Sequence, residues 1–293
     1  MQTQPRYECH GHIMMDGTEY AAARRKHESA PDRSAVEASL TALREAGVCY
    51  FRDGGDPLGV SLLARLLAPS YGIEYVTPGF AIHRQGRYGG IVGRGYGDMD
   101  EYRALLAALG ENGGDFVKLM FSGIITFREY GALSCPEVPA GEIGELIAVA
   151  HGEGYPVMAH VNGAAAIAAA ARAGLDSVEH GYFADEEALE AMAENSVIWV
   201  PTLAAVEAFE HRPEADADVV RRTVEKQLEA IERFAAMGGI IAAGSDSGAV
   251  GVPHGAGTLR EYELLQSAGI GPDAIRRGSE ALAARFRPQG GRA

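Results

Sequence analysis

Cysteine is scarce in this chain of 293 residues, with only Cys9, Cys49 and Cys135. An odd, widely spaced set excludes a disulfide framework, so stability must come from an apolar core. Positive charge is short too: 26 Lys and Arg face 40 Asp and Glu, a formal charge of −14. Such a surface repels phosphate backbones and anionic lipid, which removes nucleic acid and membranes from the expected partners. A small acidic substrate stays open, because the field inside a pocket can oppose the global one. No uncharged apolar run approaches the roughly 18 residues that span a bilayer. The alanine-rich stretch 164–171 is stopped by Arg172 and Gly174. Residues 1–7 are polar and unlike a signal peptide, so a cytoplasmic location is expected. A proline- or serine-rich linker is also missing, which predicts one domain over 1–293.

What is present is apolar and repetitive. Hydrophobic residues make up 47% of the chain, enough for a large core, and 38 glycines suit many tight strand-to-helix turns. Short apolar or β-branched runs alternate with amphipathic stretches from end to end. Strands are expected at 7–12, 48–53, 74–82, 115–123, 155–161, 176–181, 197–203 and 239–246. Helices are expected at 35–46, 60–67, 99–110, 141–152, 164–173, 186–194, 218–237 and 258–268, with an extra closing helix at 272–286. Strand–helix alternation calls for parallel strands. Eight repeats favour an α/β fold closed as a (β/α)₈ TIM barrel, whose typical size is about 250 residues. Long polar loops at 13–33 and 83–97 would lie over the C-terminal mouth, where such barrels keep their chemistry.

Histidines and a lysine mark that mouth. His10 and His12 are two apart on a strand, so both side chains share a face and can meet one cation; a chance His-x-His is the alternative. His160 ends the fifth strand and His180 the sixth, each before a glycine-bearing turn, although a lone histidine there is often only a satisfied core residue. Lys118 lies inside the apolar run Phe116-Val117-Lys118-Leu119-Met120. Its charge is costly to bury, and a closed barrel offers no free edge where it could snorkel. Asp246, after the small-residue strand Ala242-Ala243-Gly244-Ser245, suits either a helix N-cap or a ligand and proton carrier.

In this order and on these strands, His10-Gly11-His12, Lys118, His160, His180 and Asp246 resemble the amidohydrolase superfamily in its binuclear, carboxylated-lysine branch. The surrounding segments FVKLMFSG, VMAHVNG, DSVEHG and AAGSDSG…PHG are similar to those of imidazolonepropionases and prolidase-like members. The likeness runs from about Tyr7 to Phe286. It implies two divalent cations, zinc first: His10, His12 and Asp246 holding one, His160 and His180 the other, with Lys118 bridging both as a carbamate made from CO2. It further implies a metal-bridging hydroxide attacking an amide, cyclic amide or dipeptide-like C–N bond, with Asp246 as general base and then acid. Larger members add a β-sandwich before strand 1 and after strand 8. Here strand 1 starts almost at once and little follows Phe286, so a barrel lacking most or all of that sandwich is expected.

Substrate contacts are less determined. Arg52, ending strand 2, could bind a substrate carboxylate or close the barrel through an internal pair with an aspartate. His83, Tyr88 and His254 are the other candidates. Ser122, Asn162, Tyr182 and Thr202 are near the mouth by position only. His27, His151 and His211 are expected to be solvated, and Cys9 to be a packed thiol facing away from His10. Gly93-Arg94-Gly95-Tyr96-Gly97 does not open a helix after a strand and is no dinucleotide fingerprint. Two alternatives remain: a deaminase or lactone hydrolase on the same metals, and a non-catalytic ligand-binding barrel. Lys118 speaks against a mononuclear deaminase. A small-molecule substrate is expected, and by analogy a homo-oligomer is allowed.

Overall fold

The computed structural model describes residues 5–288. The polar start at 1–4 and the tail at 289–293 lie outside the described residues. Strands follow one another as β1 (Arg6–Gly11), β2 (Val48–Asp53), β3 (Glu74–Val76), β4 (Ala81–Arg84), β5 (Gly93–Tyr96), β6 (Val117–Met120), β7 (Val157–Val161), β8 (Ser177–His180), β9 (Ile198–Val200) and β10 (Ile240–Ile241). All strand pairs are parallel. They form one arc β1-β2-β3 and another β10-β9-β8-β7-β6-β4-β5. Single backbone bonds join the arcs at both seams. Cys9 N donates to Ala243 O at 2.8 Å, Asp246 N to His10 O at 2.8 Å, and Asp115 N to Thr77 O at 2.8 Å. The result is a TIM barrel with interrupted seams.

Two interruptions have local causes. The strand expected at 74–82 breaks at Thr77-Pro78-Gly79, where Pro78 has no N–H to give the ladder. The strand expected at 239–246 keeps regular pairing only over Ile240–Ile241. Beyond it the small residues continue through separate bonds, such as Ala242 N to Trp199 O at 2.9 Å and His12 N to Ser247 O at 2.7 Å. The segment expected as loop at 83–97 holds β5 instead. Its glycines conceal it: a Cβ on Gly93 would sit 2.3 Å from Ala81 O, so only glycine lets β5 pair this closely with β4. The loop at 13–33 likewise holds a helix, Tyr20–Arg25.

Helices start where aspartates satisfy free N–H groups. Asp32, Asp98, Asp185 and Asp216 each accept from the first turn of the helix that follows. The helix Ala217–Ala236 buries Val220, Ala230, Ile231 and Phe234, each large side chain contributing about 1.5–3 kcal/mol when fully buried. Outward strand residues Val117, Leu119, Val157, Ala159 and Trp199 belong to this outer core. A separate inner cluster of Tyr50, Phe116, Met158, Ile198 and Val200 fills the barrel floor. The closing helix Pro272–Phe286 plugs it with Leu282, Ala283 and Phe286. Cys9 is in that inner cluster too, fully buried. It is the packed thiol expected, yet on the inner side. The register of β1 against β2 slips between Glu8 and Gly11, and such a bulge lets neighbouring residues point the same way. Among the described residues, no helix is long and apolar enough to cross a membrane.

Candidate metal centre

His10, His12, Lys118, His160, His180 and Asp246 all line one cavity of about 210 Å³ at the C-terminal ends of the strands. His10, His180 and Asp246 offer ligand atoms within 4.8 Å of one another. Asp246 Oδ1 lies 3.6 Å from His10 Nε2 and 3.5 Å from His12 Nε2. Ring centroids are 4.9 Å apart for His10 and His180, and 4.5 Å for His160 and His180. Three buried polar atoms in this group have no hydrogen-bond partner: His12 Nδ1, Lys118 Nζ and Asp246 Oδ1. Such atoms are costly unless a ligand satisfies them. Nitrogen and carboxylate donors facing one point are a set that suits zinc and similar divalent cations.

The imidazoles are held in their neutral form. Burial, reinforced by the Lys118 charge, brings His12 and His160 down to about 3. Burial also pushes His10 and His180 far below the usual histidine range. Neutral rings keep a lone pair free. Burial lowers the Lys118 amine to about 8 and raises Asp246 to about 6, the latter partly offset by Lys118.

Second contacts fix which nitrogen faces the cavity. His10 Nδ1 meets Glu179 Oε2 at 2.7 Å, leaving Nε2 inward. His180 Nδ1 meets Thr202 Oγ1 at 2.7 Å. His160 Nε2 sits 3.2 Å from Gly123 O. The His12 ring rests on Gly54, where a Cβ would come within 2.1 Å of its Cε1. Backbone strain gathers here: Asp246, His180 and Thr202 have φ of 60°, 67° and 51°, conformations that cost about 1–3 kcal/mol each and recur at functional sites.

The four candidate substrate residues separate. Tyr88 lines the cavity, its ring 5.2 Å from that of His160. Arg52 lies fully buried beneath the cavity. It donates to Cys9 O at 2.7 Å, Ser177 Oγ at 2.8 Å and Glu179 Oε1 at 2.8 Å, with its guanidinium 4.3 Å from the Phe286 ring. The internal pair considered for it therefore exists, with Glu179 in place of an aspartate. His83 bonds to Arg84 O at 3.0 Å and packs behind Gly89. His254 is held between Ser247 Oγ at 3.0 Å and Met15 O at 2.8 Å. None of Arg52, His83 and His254 lines the cavity. His27, expected in solvent, is 3% exposed and accepts from Asp32 N, whereas His151 and His211 are exposed.

Glu179 is a functional candidate absent from the sequence-based set, although, like Lys118, it is a charge inside an apolar barrel strand that must find a partner. It orients His10 while Arg52 and Ser177 hold its other oxygen. Glu179→Gln is expected to lower metal affinity about 10–100-fold, the usual effect of removing such an orienting group. Equilibrium dialysis against zinc checks this, and an unchanged affinity would contradict it.

The class follows from this arrangement and from the sequence as a whole. The chain belongs to the amidohydrolase family, whose profile matches residues 9–288. Among particular relatives, the ochratoxinase of Aspergillus niger is 32% identical over 111 residues, 38% of this chain and 23% of that protein. The matched stretch thus spans under a quarter of the relative's length. The crystal structure of that ochratoxinase superposes with a TM-score of 0.77 at 22% identity, covering 96% of this chain and 71% of the other. A Xaa-Pro dipeptidase crystallised with methionine in its active site gives 0.75 at 20%, covering 98% and 78%. At these identities the two structures speak for the fold.

Proposed function

We propose that the chain is a metal-dependent hydrolase of an amide, cyclic amide or dipeptide-like carbon–nitrogen bond. One observation carries it: buried neutral histidines, an unpartnered lysine and an unpartnered carboxylate oxygen converge at the base of a single cavity. Family membership supports the bond type. His10, His12 and Asp246 would hold one divalent cation, His160 and His180 a second, and Lys118 as a carbamate would bridge them. Zinc is the first choice for this donor set. When bound, such cations supply Lewis acidity and make water a better acid. Burial favours the neutral Lys118 amine, the form that adds to CO2. Asp246 takes the proton from the attacking water and returns it to the leaving nitrogen. Thr202 and Glu179 hold the His180 and His10 rings while this happens. A cytoplasmic location goes with the same reading.

The test is metal content and turnover after reconstitution with zinc and bicarbonate. Two equivalents are expected in the parent protein. His160→Ala should keep one and lose most activity, while Glu229→Ala, whose partner Lys226 is on the exposed face of its helix, should keep both. A folded protein that holds no metal, or a fully active His160→Ala, would sink the proposal. Deamination without any amide cleavage would replace the bond type.

A further inference from the structure

We infer that the substrate is uncharged beside its scissile bond and presents an apolar group, aromatic or branched aliphatic, to the wall of the cavity. This rests on the hydrolase proposed above in that both concern one cavity. Above the metal-ligand candidates most of the wall is hydrocarbon: Ile125 and Phe127 from the segment after β6, Val206 and Phe209 from the segment after β9, and Val250 from the segment after β10, with tyrosine and asparagine side chains among them. The Phe127 and Phe209 rings lie 4.7 Å apart. Phe127 holds φ at 53°, a strained conformation for a bulky residue. Ile124, at the same mouth, is 42% exposed, an apolar side chain offered to whatever enters.

Cations are what the wall lacks. Among the described residues Lys118 is the single lysine or arginine on the lining, and it sits among the imidazoles. Two guanidiniums approach lining residues from elsewhere. Arg24 donates to Tyr20 Oη at 3.1 Å, and Arg212 lies over the Phe209 ring while paired with Glu214. A substrate carboxylate held against the wall, away from the base of the cavity, would have to shed water with no lysine or arginine there to replace it, in a chain of charge −14. An apolar ring would instead exchange water for the hydrocarbon wall.

The test compares two probes that differ by one carboxylate, N-acetylphenethylamine and N-acetylphenylalanine, on the metal-loaded full chain. The neutral probe is expected to have a kcat/KM at least about 100-fold higher, the scale of rejection for an unpaired polar group. Val250→Arg should shrink that ratio at least about tenfold by giving the carboxylate a partner. A carboxylate probe cleaved as well as the neutral one, or better, would overturn the inference and leave the hydrolase standing, whatever Arg24→Gln then does to its turnover. If neither probe is cleaved, calorimetry with 4-phenylbutan-2-one and 4-phenylbutanoate separates the two ideas. Binding of the ketone alone supports the inference and leaves the proposed reaction to its own test of metal content and turnover. Binding of the acid alone, equal binding, or binding of neither overturns the inference.

Discussion

Lys118→Met is expected to abolish turnover, by at least about 10³-fold, and yet to raise the melting temperature of the metal-free protein. The amine is 1% exposed with no hydrogen-bond partner. Methionine removes that buried charge and fills similar volume with flexible apolar atoms. Replacing buried charged groups by apolar ones often stabilises by about 1–4 kcal/mol. In a domain of roughly this size each kcal/mol moves the melting temperature by about 2–4 °C. The sign of the pH dependence follows from the Lys118 shift. Burial lowers the amine from 10.5 to about 8 in the folded chain, so between these values the unfolded chain binds more protons and stability rises with pH. The penalty is fully present below about pH 8 and fades toward 10.5. The advantage of Lys118→Met should therefore narrow across that window. Calorimetric scans of both proteins, stripped of metal, check it. A less stable variant at pH 7 would mean that Lys118 has a stabilising partner in the folded chain.

Asp246→Asn should lower kcat by about 10²–10⁴, the range that a positioned acid–base group supplies, with a melting temperature close to the parent's. Asn keeps the shape of the side chain and tolerates the left-handed φ of 60° found there. Asp246→Ala removes the same carboxylate but also puts a less tolerant residue at that φ, so it should be destabilised further, by about 1 kcal/mol. The pair separates chemistry from backbone strain: equal losses in kcat with unequal stability are expected. If Asp246→Asn kept more than a tenth of parent kcat, the proton-carrying role would have to move to another group.

Much of the candidate centre was legible because it obeys local rules. His10 and His12 face one way through the two-residue period of a strand, and Lys118 was conspicuous as a charge in an apolar run. His160, His180 and Asp246 followed from strand ends ordered along the chain. Glu179 was harder, since its meaning lies in His10, 169 positions away, and in Arg52, 127 away. Arg52, open between a substrate contact and an internal pair, and His254 were ambiguous for the same reason. Each is a polar group near a strand end whose partner, Glu179 or Met15 O, is brought to it only by closure of the ring. Cys9 was given the wrong side because a bulge breaks the alternation on which the inference depended. Strand β5 was hidden because its glycines pack backbone to backbone and show no side-chain pattern.

By itself, then, the order of apolar runs determined a parallel barrel, and the residues ending those runs determined where the histidines, Lys118 and Asp246 would gather. Both are periodic or local properties, and a chain expresses them along its length. The tertiary structure alone decided which nitrogen each histidine turns inward, which polar groups are already paired beneath the cavity, and that most of the wall above it is hydrocarbon. Those depend on closing a ring between residues far apart in sequence. Loops after β6 and β9 meet over the mouth only once that closure has brought Phe127 and Phe209 face to face.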